Sequence, residues 1–380
     1  MSKQGKRFDL QPYLRREPVT LALLSGLAIM MFGAVAGLSR LYHQQQNSLA
    51  TRWATRGHAA LDAKSYGAAV IDFRTSLLYS RDNYSYQLNL AEALLGENRI
   101  NEAYNYLINL WDRQPENGLV NLELARIAAE RGQTNSALRY YNNAVYAVWP
   151  GNQDVARRNT RLELIHMLLR IGDRAQADSQ LIALAGNLGN EPAEHELAGQ
   201  LFLQAQDFPR ALEQFRLTLR RSPRNARAMA GAGNAAFNLG QYVVAERYLQ
   251  LAVWHGDKSS ETKLKLTKLV LQLDPFRSQV TSSERRRIVL AAFAAAGVRL
   301  KACTAPGSFA MPGATLTSLT QKWTQLKPHI TLWELSRNPD LVNTAMATVF
   351  DIERETSGMC GGSTDTDNAL LLIAKLHEGL

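Results

Sequence analysis

The chain has 380 residues, 46% hydrophobic and 20% charged, which is enough apolar content for a sizeable core and excludes a wholly disordered chain. Two cysteines exclude a disulfide-dense scaffold, and no Cys/His cluster has the spacing of a zinc site. The formal net charge of +9 is unevenly placed, with six basic against two acidic groups in residues 1–40 and six against one in 277–301. The first excess flanks an apolar run, so it reads as membrane topology and not as nucleic-acid binding.

That run, from Pro18 to Leu38, carries no charge. As a helix it spans roughly 31 Å, close to the hydrocarbon thickness of a bilayer. Lys3, Lys6, Arg7, Arg15 and Arg16 precede it, while only Arg40, Arg52 and Arg56 follow closely. The positive-inside rule then places the N-terminus in the cytoplasm and the rest of the chain across the membrane, an inner-membrane, periplasmic arrangement. Ala34-Val35-Ala36 has the small-x-small form of a signal-peptide cleavage site, so a cleaved leader is the rival reading. The long basic leader and the long apolar run favour an uncleaved anchor. The expected order is a basic tail over 1–17, an anchor over 18–38 and a helical linker over 39–49.

From residue 50 the sequence repeats. Ala69, Ala103 and Ala137 recur at a period of 34, and after six extra residues Ala177, Ala211 and Ala245 do so again. Twelve residues before each lies Gly57, Ala91, Ala125, Ile165, Gly199 or Gly233. Two columns of small residues at that offset let two antiparallel helices approach closely, which predicts αα-hairpins. Four residues after each Ala comes an apolar or aromatic residue: Phe73, Leu107, Tyr141, Leu181, Phe215, Leu249. Gly132, Gly172 and Gly240 mark hairpin turns, and Pro115-Glu116-Asn117 and Pro223-Arg224-Asn225 close their repeats.

This pattern resembles the tetratricopeptide repeat, a helix–turn–helix unit of 34 residues. Six units fit, over 50–83, 84–117, 118–151, 158–191, 192–225 and 226–259, with a further first helix near 260–273. The fourth unit departs, with bulky Ile165 in the small column and an insert at Gln153–Arg157 before it. The resemblance implies a right-handed superhelix whose first helices line a concave groove for peptides or helices. One first-helix column is polar throughout: His58, Glu92, Arg126, His166, Gln200 and Asn234. In the family that column faces the groove. The columns four before and three after it are mostly apolar, which suits an amphipathic or extended partner. The plainer alternative is a solvated face. His58 and His166 lie three repeats apart and are not expected to meet. Arg216, Arg220, Arg221, Arg224 and Arg227 form a second candidate, a docking patch for acidic protein or lipid headgroups, against the same plain alternative.

Beyond Pro275 the period is lost. Thr281-Ser-Ser-Glu284 is a capping-box pattern ahead of an Ala-rich helix, and Arg285, Arg286 and Arg287 are expected at its surface. Residues 303–314 read as a loop, and helices are expected over Thr315–Lys327, Pro339–Arg354 and Asp367–His377, with Gly379 ending the last. Together, 276–380 form a helical cap on the solenoid of 50–275, which would otherwise expose an apolar end. Cys303 and Cys360 are candidates for a disulfide, conditional on export. Asp365 and Asp367 read as helix-capping residues and not as cation ligands. No P-loop, GxSxG, HExxH or dinucleotide fingerprint occurs, so no catalytic residue, cofactor or metal ligand is assigned. The expectation is an all-α, membrane-anchored, non-enzymatic scaffold for a protein partner in a membrane or envelope complex. A chaperone-like module for exported chains, a permanent accessory subunit, and an accessory factor in envelope polysaccharide or pilus export are the alternatives.

Overall fold

The structure, a computed structural model, describes residues 11–304, 314–360 and 363–378. Lys3, Lys6 and Arg7 of the basic tail, the loop over 305–313, and Gly361, Gly362 and Gly379 lie outside the described residues. Regular structure among the described residues is helical, with one isolated bridge between Asn117 and Val148. The chain divides into two compact units between Leu164 and Ile165, inside the irregular fourth repeat.

The first unit opens with α1 (Gln11–Asp62), a single helix of 52 residues. Its apolar part is exposed, and the helix is long and apolar enough to cross a membrane. No break separates this part from residues 50–62, which pack on α2 (Tyr66–Tyr79) as the first hairpin. Two more hairpins follow, α3 (Tyr84–Gly96) with α4 (Ile100–Arg113), and α5 (Gly118–Glu130) with α6 (Thr134–Tyr146). The insert is absorbed into a lengthened helix, α7 (Gln153–Ile171), reached through a loop in which Trp149 lies on Gly118.

The second unit takes up α7 from Ile165 and continues with α8 (Arg174–Ala185). Two hairpins follow, α9 (Pro192–Ala205) with α10 (Phe208–Arg221), and α11 (Ala226–Asn238) with α12 (Tyr242–Trp254). After α13 (Glu261–Leu273) come α14 (Ser282–Thr304), α15 (Ala314–Leu326), the short α16 (Glu334–Arg337), α17 (Asp340–Met359) and α18 (Asp365–Leu376).

Each hairpin is built as its columns require. All six alanines of the period are fully buried, and the residues twelve before them, including Ile165, are buried too. Where the column holds glycine, the facing side chain occupies the space a Cβ would take. A Cβ on Gly57 would stand 2.8 Å from Phe73, on Gly199 2.9 Å from Phe215, and on Gly233 2.7 Å from Leu249. The small column thus receives the large residue sixteen positions later, from the second helix of the same hairpin. The turns also share one conformation. Lys64, Asn98, Gly132, Gly172, Gln206 and Gly240, each five residues before the alanine, all have a left-handed φ of 55–81°. Only three of the six are the glycines this conformation favours. Asn83, Asn117 and Asn225 cap α3, α5 and α11, each side chain accepting from the backbone N–H three residues on.

The C-terminal helices share one core with the last repeat. Tyr242 and Val270 of the repeats belong to the same buried cluster as Val289, Phe293, Met346 and Ile373. Helix α18 packs on α13, and His377 lies 3.1 Å from the buried Asp274. Thr281 accepts from the Glu284 N–H at the start of α14. Thr364 and Asp367 form a reciprocal capping box on α18, and this is the role of Asp367. Arg285 and Arg286 are half-buried and Arg287 is exposed, and the Arg285 guanidinium donates to the Pro275 carbonyl. Cys303 and Cys360 are joined as a disulfide, with Cα atoms 5.6 Å apart. Beside it, buried Arg299 donates to the carbonyls of Thr356 and Cys360. Glu353 is 2% exposed, and burial, reinforced by the charge of Asp367 and opposed by Arg299, pushes its carboxyl up to about 8.

Candidate functional site

In the first unit His58, Glu92 and Arg126 are exposed on successive first helices. Their flanks are apolar and mostly half-buried: Ala54, Leu88 and Leu122 on one side, Leu61, Leu95 and Ala129 on the other. The side-chain amide of Asn89 lies 3.1 Å from His58 Nε2, and the His58 ring meets Phe73 edge-on. Arg126 is the most engaged of the three. Its Nε and Nη2 donate to the two carboxylate oxygens of Glu163 at 3.0 and 2.5 Å, and its Nη1 donates to Glu123 at 2.7 Å. Such a bidentate clamp holds the guanidinium firmly charged, chiefly through its bonds to Glu163. Burial raises the Glu123 carboxyl despite Arg126, with the charges of Glu163 and Glu92 adding to the rise. The Tyr141 hydroxyl donates to Glu163 at 3.4 Å, and burial with that negative charge pushes it up to about 12.

In the second unit His166 and Gln200 are exposed and Asn234 is half-buried. Flanking Leu162 of the first unit and Leu169, Leu203, Ala230 and Phe237 of the second are half-buried. Glu196, the charged member of an otherwise apolar column, accepts from Gln200 at 3.3 Å and from Asn225 at 2.6 Å. Its charge is therefore tied to the cap of the next repeat, a contact sequence spacing does not reveal. Lys263 of α13 lies over the Phe237 ring at 5.3 Å, and burial lowers its pKa.

The arginines differ among themselves. Arg210 pairs with Asp207 and Asp178, whereas Arg216, Arg220, Arg221, Arg224 and Arg227 are exposed with no acidic partner among the described residues. A polar cleft of about 520 Å³ lies elsewhere, at the hairpin turns of the first unit, between Asn98–Glu102 and Glu130–Arg131. Among the described residues no three His, Cys, Asp or Glu side chains gather as metal ligands.

Residues 197–261 match the tetratricopeptide repeat family model, so the chain carries tetratricopeptide repeats, and the hairpins keep a 34-residue spacing within each run of three, with six extra residues between the runs. No curated protein matches the sequence. Among solved structures the chain is similar to YrrB, described as a TPR protein with an unusual peptide-binding site, at 15% identity over 51% of this chain and 97% of that one, with a TM-score of 0.42. It is similar to the C-terminal part of a TPR repeat-containing protein from Cytophaga hutchinsonii at 12% identity, over 62% and 93%, with a TM-score of 0.44. It is also similar to Pseudomonas aeruginosa pilF at 15% identity, over 58% and 98%, with a TM-score of 0.40.

Proposed function

We propose that this chain is a membrane-anchored, non-enzymatic scaffold that holds a protein partner along the first helices of its repeats. The reading rests on one observation: a polar, accessible column recurs in both units between half-buried apolar columns. A partner helix or extended segment gains apolar burial from the flanks and orientation from the polar ladder. Residues 1–17 would be the cytoplasmic tail, 18–38 the anchor, and 39–49 a helical spacer leading to the repeats of 50–275 outside the cytoplasm. The region 276–380 closes the last repeat. A disulfide between Cys303 and Cys360 favours that side of the membrane, since cytosolic thiols are normally kept reduced.

Two measurements test this. A reporter fused after Leu380 is expected to be active only outside the cytoplasm, and activity inside would overturn the topology. For binding, Glu92→Arg combined with Gln200→Trp blocks the column while avoiding Arg126, whose loss would leave Glu123 and Glu163 facing each other. Detergent-extracted protein is expected to lose the partner that co-purifies at fixed stoichiometry, with an unchanged melting temperature. Unaltered capture would move the partner to the Arg216–Arg227 surface or the C-terminal helices.

A further inference from the structure

Between α14 and α15 the second unit carries a cleft that the scaffold reading does not use. It has a volume of about 320 Å³ and its lining includes Leu290, Gly297, Val298, Lys301, Trp323 and Lys327. Trp323 forms its floor. The indole lies so close on Gly297 that a Cβ there would stand 2.1 Å from the ring, and it stacks on Phe293 at 5.6 Å. Its Nε1–H is already spent on the Phe293 carbonyl at 3.1 Å. Leu290 and Val298 face solvent, 37% and 69% exposed, although each could pack in a core. Two exposed lysines reach this floor. The ammonium groups of Lys301 and Lys327 lie 5.8 and 5.2 Å from the centroid of the same Trp323 ring. No carboxylate lines the cleft, and neither lysine has an acidic partner among the described residues.

Two cations beside one apolar floor, with no carboxylate among the lining residues, favour an anion there. The walls say what that anion carries. Most lie in α14 and α15, whose interior backbone groups are paired within the helix, while Lys327 and Ile330 follow the end of α15, and the indole donor is taken. A peptide laid along α14 would bury N–H and C=O groups against helical backbone that is already paired. An alkyl chain has no such groups and gains from covering Leu290, Val298 and Trp323. The volume sits at the low end of small-molecule sites, which suits one chain and not a two-chain phospholipid. We propose that this cleft binds a single-chain fatty carboxylate, with the chain along Leu290–Val298 over Trp323 and the carboxylate between Lys301 and Lys327. The proposal is independent of the groove on the repeats.

Photo-labelling tests it. Full-length protein in nanodiscs of zwitterionic lipid is irradiated with a diazirine analogue of decanoate, and adducts are mapped by mass spectrometry. Adducts are expected on Leu290–Val298 and Trp323, with decanoate competing at least about tenfold better than decanol or decyltrimethylammonium. The double variant Lys301→Gln, Lys327→Gln is expected to weaken competition by decanoate about tenfold at unchanged melting temperature. Val298→Asp, a substitution at a solvent-facing position, should remove labelling of α14. Adducts confined to the apolar part of α1, equal competition by the cationic amphiphile, or equal displacement by a short peptide ending in a leucine carboxylate would each overturn the proposal.

Discussion

In the hairpins, Ala69, Ala103, Ala137, Ala177, Ala211 and Ala245 perform one task six times, each fully buried where a second helix crosses a first. Between Ser282 and His377 no task recurs. Cys303 is bonded to Cys360, Arg299 is spent on the carbonyls of Thr356 and Cys360, Gly297 admits Trp323, and Glu353 is buried beside Asp367. The repeats spread their stability over many small and similar contacts, as solenoids do. The C-terminal helices concentrate theirs in a few unlike ones. A single change should therefore hurt the second region more, and in a chemically specific way.

The largest effect expected is from Cys303→Ser with Cys360→Ser. For a separation of 57 residues the chain-entropy relation gives about 4 kcal/mol. Hydrogen exchange should show faster opening of α14–α18 with α2–α6 unchanged, and uniform loss across both regions would erase the contrast. Next comes pH. The Glu353 carboxyl titrates near 4.3 when unfolded and at about 8 when folded. The folded state therefore holds the proton more tightly, and this contribution is complete below pH 4 and is lost as pH rises through 8. Melting temperature should fall between pH 5 and 8, and Glu353→Gln should flatten that slope; an unchanged slope would remove the assignment. In the repeats, Ala211→Leu overpacks one crossing and should cost about 1–3 kcal/mol in a denaturation titration. An unaffected midpoint would contradict the register. Smallest are the turns. Gly132→Ala, at a φ of +69°, should cost about 1–2 kcal/mol. Gln206→Gly, at +66°, trades relieved strain against the entropy of glycine and should shift stability by less than about 1 kcal/mol.

The same contrast explains what could be read in advance. Hairpins and alanine burial were legible because each rule is applied six times, so the columns stand out against unrelated positions, and three of the turns were legible from their glycines. The turns at Lys64 and Gln206 were not, since their side chains carry no mark of the left-handed conformation that the flanking helices impose on them, and at Asn98 the only mark is the tolerance of asparagine for it. Helices α15, α17 and α18 were legible to within a few residues from capping signals and apolar spacing, whereas the four-residue α16 was not. At the candidate face, the polar column was visible, but the clamp of Arg126 on Glu163 joins residues 37 apart across the irregular insert. No fixed period predicts that pair. The cleft over Trp323 was invisible for a similar reason, because Lys301 and Lys327 are brought to one indole only through the packing of α14 on α15.

The central claim, that the first-helix column is the partner-binding face, is open to one direct measurement. A photo-crosslinking residue is placed at His58, Glu92, His166 or Gln200, and for comparison at Ile71 and Val243, exposed positions on second helices. Crosslinks in intact cells are then resolved by mass. The account predicts one common adduct from the four column positions and none from Ile71 or Val243. Adducts from the second-helix positions alone would contradict it.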